Sequence, residues 1–341
     1  MNRRLLLSLA AATGFGLLSL GGWGWWSYQQ FLERPIPQAI SLTVANGWSF
    51  NRVATELEEV GAITSSEWLF LLNRLEPGGF LQAGEYLFPA RSTPRTILNQ
   101  LRKGEVVHHR FTIPEGWTVP EVARLLQQTA WPEAVELLRD PTLPARLELT
   151  ENHLEGWLFP ATYDYRKGEG LLSILKQMVH LSRRNLEEVW SKRPSSHALT
   201  PYQTLILASI VEKETGQDAE RPAIAGVFYN RLSRHMRLQS DPTVIYGVSG
   251  FDGNLTRLHL RTDTPYNTYT REGLPPTPIC NPGREALEAV VHPLPSTHLY
   301  FVAKGDGSHI FASSLPEHQG NVQHYQKAAP TSRTPSTAAN R

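Results

Sequence analysis

The chain has 341 residues, enough for two or three domains with substantial buried cores. Its 33 lysines and arginines balance 32 acidic residues at a net charge of +1, so no basic excess supports a nucleic-acid footprint. The single cysteine, Cys280, excludes an internal disulfide and any metal site built on several thiolates. No H-E-x-x-H, P-loop or G-x-S-x-G pattern occurs, and the 12 histidines are scattered rather than spaced as ligands; neither metal nor cofactor is expected.

From Leu5 to Trp26 there is no charged residue, a run long enough to cross the hydrocarbon layer of a bilayer as one helix. A secretory signal shares the basic start and the apolar stretch. This run, however, lacks a small-x-small cleavage site and closes on Trp23, Trp25, Trp26 and Tyr28, rings that favour the membrane–water interface. The expectation is a transmembrane anchor over 5–27, with residues 1–4 held in the cytoplasm by Arg3 and Arg4 and the rest of the chain outside the membrane. A polar, proline-bearing linker over 28–38 follows.

A repeat comes next. Gly47–Leu57 (GWSFNRVATEL) and Gly116–Leu126 (GWTVPEVARLL) share the pattern G-W-[ST]-x-x-x-V-A-x-x-L. In each copy Ser49 or Thr118 is placed to cap a helix whose Val and Leu, four apart, share its buried face. Between the copies the signals predict a helix over 65–75, a strand over 81–88 and a helix over 93–103 with Thr93 as N-cap, Pro94 in the first turn and Gly104 past the end. A strand over 105–113 follows. A small α+β module over 39–107 fits these pieces and resembles LysM glycan-binding modules, in which a short G-x-[ST] turn opens a helix; a plain spacer domain is the alternative.

The second, larger domain is expected over 108–327, also α+β. A helix is predicted over 173–190, and Thr200-Pro201-Tyr202-Gln203 opens another with the signs of a capping box. Leu205–Val211 is apolar nearly all round, so this helix should form the domain core. Leu299–Ala303 and Ser308–Ala312 read as a β-hairpin. The tail over 328–341, rich in Ala, Pro, Ser and Thr, is expected to be disordered.

Glu212 follows the apolar run, and the residues three, four and seven positions before it are Ser209, Ala208 and Leu205. A carboxyl on so small and apolar a face is costly to ionise and can hold a proton near neutral pH, as a general acid must. Lys213 and Glu214, offset by roughly 100° and 200° around the helix, are expected to face solvent or other partners. The alternative for Glu212 is a buried salt bridge to Arg221 or Arg231.

Downstream, Arg237–Gly247 and Thr264–Tyr269 gather amides, hydroxyls and aromatic rings in proline-broken loops, and Glu155–Pro160 adds an aromatic wall. Sugars need this mixture of flat apolar rings and directional donors and acceptors. Gln239, Asp241, Thr243, Tyr246, Asn267, Tyr269 and Trp157 are the expected sugar contacts.

The stretch Leu207–Thr215 (LASIVEKET) resembles the MltG, or YceG-like, endolytic murein transglycosylases, as do Val227–Leu232, the Leu238–Gly247 loop, Tyr266-Asn267-Thr268-Tyr269, Gly273–Pro276 and His292-Pro293. With the anchor and the LysM-like module the resemblance runs to about residue 327. It implies that Glu212 is the catalytic residue, with Asn267 and Tyr269 beside it. It also implies a bacterial plasma-membrane enzyme working outside the cytoplasm on peptidoglycan strands, beside cell-wall synthesis proteins. Ala161 departs from the family, which usually has Asp there; Asp164 is the nearby substitute. The implied reaction cuts the bond between N-acetylmuramic acid and N-acetylglucosamine by attack of the muramyl C6 hydroxyl on its own anomeric carbon, leaving a 1,6-anhydro end and needing one carboxyl where ordinary glycosidases need two. A lysozyme-like hydrolase with Asp241 as second acid, and a non-catalytic glycan-binding scaffold, are the alternatives.

Overall fold

The computed structural model describes residues 19–327, and these divide into two compact units: 19–110 with 164–169, and 111–163 with 170–327. The fold is α+β, with three separate two-stranded sheets among the described residues. The stretch over 1–4 expected in the cytoplasm, the first part of the expected anchor (5–18) and the tail over 328–341 lie outside the described residues.

The anchor is corrected by the structure: among the described residues no helix is long and apolar enough to cross a membrane. The helix over 19–33 (α1) instead runs past the expected end at residue 27. Tyr28, Phe31 and Leu32, with Ile36 beyond it, are buried in the core of the first unit, so residues expected to form a polar linker include packing residues. The single-pass membrane localisation expected from that anchor has no spanning helix to support it among the described residues.

In the first unit, β1 (Ile40–Val44) pairs antiparallel with β2 (Gly84–Phe88), Ile40 opposite Phe88 and Val44 opposite Gly84. Between them lie α2 (Phe50–Glu59) and α3 (Ser66–Leu75), giving the order β-α-α-β, and α4 (Pro94–Lys103) follows. Each helix starts at a hydroxyl cap: Ser49 accepts from Arg52 N, Ser65 from Trp68 N, and Thr93 from Thr96 N. Gly104 ends α4 at φ 65, where an added Cβ would collide with the Gln82 side chain. The core is filled by Val53 and Leu57 of α2, Leu69 and Leu72 of α3, Ile97, Leu98 and Leu101 of α4, and Tyr86 and Phe88.

Strands β3 (His108–Thr112) and β4 (Thr162–Arg166) pair with each other. In the second unit α5 (Val119–Thr129) carries the second copy of the repeat, with Val122 and Leu126 buried and the Glu121 carboxylate accepting from both Thr118 N and Thr118 Oγ1. Two short turns, α6 (Ala134–Leu137) and α7 (Leu143–Arg146), precede the long α8 (Leu171–Ser191). Helix α9 (Pro201–Glu214) is the centre of this unit: Thr204–Val211 are all buried, because α8, α10 (Arg221–Ser233), α11 (Asp241–Gly247) and α13 (Arg284–Val291) pack around it. α12 (Arg257–Arg261) lies between α11 and α13 in sequence. The β5 (Tyr300–Ala303) and β6 (His309–Ala312) hairpin pairs Tyr300 with Ala312, and α14 (Leu315–Val322) packs against it.

Candidate active site

Helix α9 delivers the chemistry at its carboxyl end. Its start is fixed by Thr200, whose Oγ1 accepts from Gln203 N at 3.2 Å while Gln203 Oε1 accepts from Thr200 N at 3.0 Å. The last turn carries two carboxylates with different surroundings. Glu212 Oε1 lies 3.0 Å from Arg221 Nη2, and Glu212 Oε2 accepts from Gly283 N at 3.0 Å. Arg221 also holds Asp218 at 2.6 Å and Glu115 at 3.4 Å. Glu212 does not line the cleft described next. Glu212 is thus held by buried Arg221 and the Gly283 N–H, the arginine pairing being the alternative that the sequence left open, and it is Glu214 rather than Glu212 that lines this cleft.

Glu214 is the carboxyl that faces a hollow. It lines a cleft of about 440 Å³ with Arg231, Gln239, Asp241, Tyr269, Tyr300 and His309. Burial pushes its pKa up to about 7, against the opposing effect of a hydrogen bond from Ser240. Ser240 Oγ donates to Glu214 Oε1 and to no other carboxyl oxygen of the cleft.

Ser240 is itself held by a network of buried hydroxyls. Its N donates to Thr268 Oγ1 at 3.0 Å, Thr243 Oγ1 donates to Ser240 O at 2.7 Å, and the two threonine hydroxyls meet at 2.8 Å. Gln239, at the edge of the cleft, adopts φ 47, a left-handed conformation rarely held by a non-glycine residue. Its N donates to Thr268 O at 3.0 Å, and this backbone bond ties the loop after α10 to the loop that carries Tyr269.

The expected sugar contacts separate into two groups. Gln239, Asp241 and Tyr269 line the cleft with Glu214, and Tyr269 OH donates to Asp241 Oδ1 at 2.6 Å. Burial, followed by that bond to Asp241, pushes the Tyr269 phenol up, so it stays a donor. The other four are placed elsewhere. Thr243 is fully buried in the hydroxyl network. Asn267 is also fully buried: its Nδ2 donates to the carbonyls of His259, Leu260 and Thr262 at 3.2, 3.2 and 2.7 Å, and its Oδ1 accepts from Tyr269 N at 2.8 Å. It shapes the loop that presents Tyr269 rather than meeting a ligand. Trp157 is buried and lines no part of the cleft. Tyr246 belongs to a second cavity of about 370 Å³, where its OH donates to Glu155 Oε2 at 3.0 Å. Asp164, the substitute considered for the missing acid at Ala161, is taken by Arg110 at 2.6 Å.

Sequence reasoning undervalues two residues: it sends Glu214 to solvent or other partners and treats Glu155 only as part of an aromatic wall. Glu155 is buried, accepts from Val119 N at 3.0 Å, and is pushed up to about 8 by that burial. Among the described residues no group of three or more His, Cys, Asp or Glu is arranged to hold a metal ion.

Comparison with known proteins places this arrangement. A family model described as the YceG-like family matches residues 42–324. An endolytic murein transglycosylase of Streptococcus pneumoniae (serotype 2, strain D39) is 29% identical over 347 aligned positions, covering 90% of this chain and 62% of that protein. The chain thus spans less than two thirds of that relative's length. An endolytic murein transglycosylase of Bacillus subtilis (strain 168) is 28% identical, covering 86% of this chain and 87% of that protein. The crystal structure of a yceG-like protein from Listeria monocytogenes is 30% identical, with a TM-score of 0.56, and covers 83% of this chain and 98% of that one. The chain belongs to the YceG-like family.

Proposed function

We propose that this chain is an endolytic murein transglycosylase with Glu214 as its one acid and base, acting on the β-1,4 bond between N-acetylmuramic acid and N-acetylglucosamine. The observation that carries the reading is the Glu214 carboxyl in the cleft, raised to about 7 by burial and bonded on one oxygen by Ser240. The names of the Streptococcus and Bacillus relatives support the reaction class.

In the first step the proton on the Glu214 carboxyl passes to the glycosidic oxygen as the C1–O bond breaks, and positive charge develops on the muramyl ring. In the second, the C6 hydroxyl oxygen of the same ring bonds to C1 and its proton returns to Glu214. The carboxyl ends in its starting state and no water is consumed. Asp241, held by Tyr269 OH at 2.6 Å, supplies negative charge to the cleft in which the cation forms. Gln239 contributes an amide beside it for the sugar hydroxyls and acetamido groups. The β-α-α-β order of the first unit supports a LysM-like, glycan-binding role for that part.

Digestion of purified murein followed by mass analysis of the new ends tests this. Anhydromuramyl ends, one water lighter than reducing ends and absent with Glu214→Gln, are expected. Reducing ends would transfer the chain to the hydrolases with Asp241 as second acid, and an undigested polymer would leave a scaffold.

A further inference from the structure

Arg231 of α10 lines the same cleft as Glu214 and is 7% exposed. Its Nε donates to Leu299 O at 2.7 Å, and its Nη1 to Leu238 O at 2.6 Å and Arg237 O at 3.5 Å. These acceptors are neutral carbonyls. Among the described residues no carboxylate lies within ion-pair distance of the guanidinium, and Nη2 has no hydrogen-bond acceptor. Arginine cannot shed its proton to escape burial, and a buried cation without a counter-charge is unfavourable.

Neither carboxyl of the cleft forms a direct ion pair with it. Asp241 is engaged by Tyr269 OH, and Glu214, held up at about 7, is largely protonated on the acid side of neutrality. The same wall carries an unpartnered imidazole nitrogen. Tyr300 lies under the Arg231 guanidinium at 5.3 Å and stacks with His318 at 5.0 Å, and His318 Nδ1 is buried with no hydrogen-bond partner among the described residues. The cleft therefore carries a positive charge as well as its two acids.

We infer that Arg231, with His318 beside it, forms an anion subsite that binds a carboxylate of the glycan strand through Arg231 Nη2. The inference rests on the murein reading and deepens it. A muramyl residue bears a lactyl ether whose carboxyl is free on peptide-free strands; on peptide-bearing strands it is in amide linkage, and the peptide brings carboxylates of its own. A chitin strand has the same β-1,4-linked N-acetylglucosamine backbone and no carboxylate. The subsite thus gives the cleft a means of choosing between two polymers that its stacking rings and amides treat alike.

The test uses the full chain carrying Glu214→Gln, so that strands bind without being cut, and calorimetric titration. The ligands are peptide-free murein strands, the same strands with lactyl carboxyls converted to methylamides, peptide-bearing strands with free and with amidated peptide carboxylates, and chitin oligomers. Removing the recognised carboxylate should weaken binding at least tenfold, and whichever pair shows the loss identifies the lactyl group or the peptide as its source. Chitin should bind as weakly as the neutralised strands, and Arg231→Gln should erase the difference between charged and neutralised ligands. Equal affinity for each charged strand and its amidated partner would overturn the anion subsite while leaving the murein reading intact; no binding to any murein strand would overturn both. The comparison of ligands needs no change at Arg231, so it holds even if Arg231→Gln does not fold.

Discussion

The Glu212 carboxylate and the Arg221 guanidinium meet at 3.0 Å with 6% and 5% of their side chains exposed. Removing one partner from such a pair strands a buried charge and costs about 3–5 kcal/mol. Arg221→Met should therefore lower the denaturant midpoint sharply, and Glu212→Gln should do the same. Glu214→Gln, in contrast, should keep close to native stability while losing about 100- to 10,000-fold in turnover. Denaturant unfolding beside murein digestion distinguishes the two carboxyls. A stable but inactive Glu212→Gln together with an active Glu214→Gln would reverse the assignment.

The pH dependence of turnover follows from the state of Glu214. Burial raises its pKa to about 7, and the acid form is the one that protonates the leaving oxygen. Turnover on a fixed glycan should therefore fall as pH rises through about 7. The Ser240 hydroxyl stabilises the carboxylate form through its donated bond, so Ser240→Ala should move the descending limb to higher pH. A limb that stays in place, or moves to lower pH, in a folded Ser240→Ala chain would contradict this account of the cleft.

Asn267 satisfies three carbonyls and fixes the Tyr269 backbone from a fully buried position. Asn267→Ala leaves those acceptors unpaired, and each buried unsatisfied group costs about 1–3 kcal/mol. We expect a loss of about 3 kcal/mol or more in unfolding free energy. Turnover should fall as well, because Tyr269 no longer presents its hydroxyl to Asp241. Unchanged stability would show that water or a shifted loop replaces these bonds.

Much of the fold was legible because its signals are local. Both copies of the repeat are helices whose Val and Leu are buried, α2 and α5, since a hydroxyl cap and an i,i+4 apolar pair specify a helix start and its inner face without help from distant residues. The β5–β6 hairpin and the boundaries of α4 follow the same logic. The orientation of α9 was not legible. Its middle is buried on every side, so the pattern of apolar residues has no single inner face from which to infer where Glu212 and Glu214 point. Residues distant in sequence decide it: Arg221 and Gly283 capture the first carboxyl, and Ser240 the second. Asn267 misleads for a related reason, since a buried amide that organises a loop and one that binds a sugar carry the same donors and acceptors. In the aromatic belt near residue 28, amphipathic rings that suit a bilayer surface suit a protein core equally, and Tyr28 is used in the core.

Glu155 predicts a separate pH effect, on stability rather than turnover. Its carboxyl is buried, and that burial raises its pKa from 4.5 to about 8, with bonds from Tyr246 OH and Val119 N opposing the rise. Between pH 4.5 and about 8 the folded chain holds a proton that the unfolded chain has released, so stability falls as pH rises through this window. The full effect is on the order of 5 kcal/mol at about 1.4 kcal/mol per pKa unit. Glu214 acts in the same direction but only up to about pH 7, so the decline between about pH 7 and 8 belongs chiefly to Glu155. Urea unfolding at closely spaced pH values should show that decline in the native chain and a flatter profile in Glu155→Gln. Tyr246→Phe removes a bond that favours the carboxylate, and its decline should extend to higher pH. Native stability that rises across the same interval would mean that Glu155 is ionised in the folded chain, and that its bonds to Tyr246 and Val119 outweigh the cost of its burial.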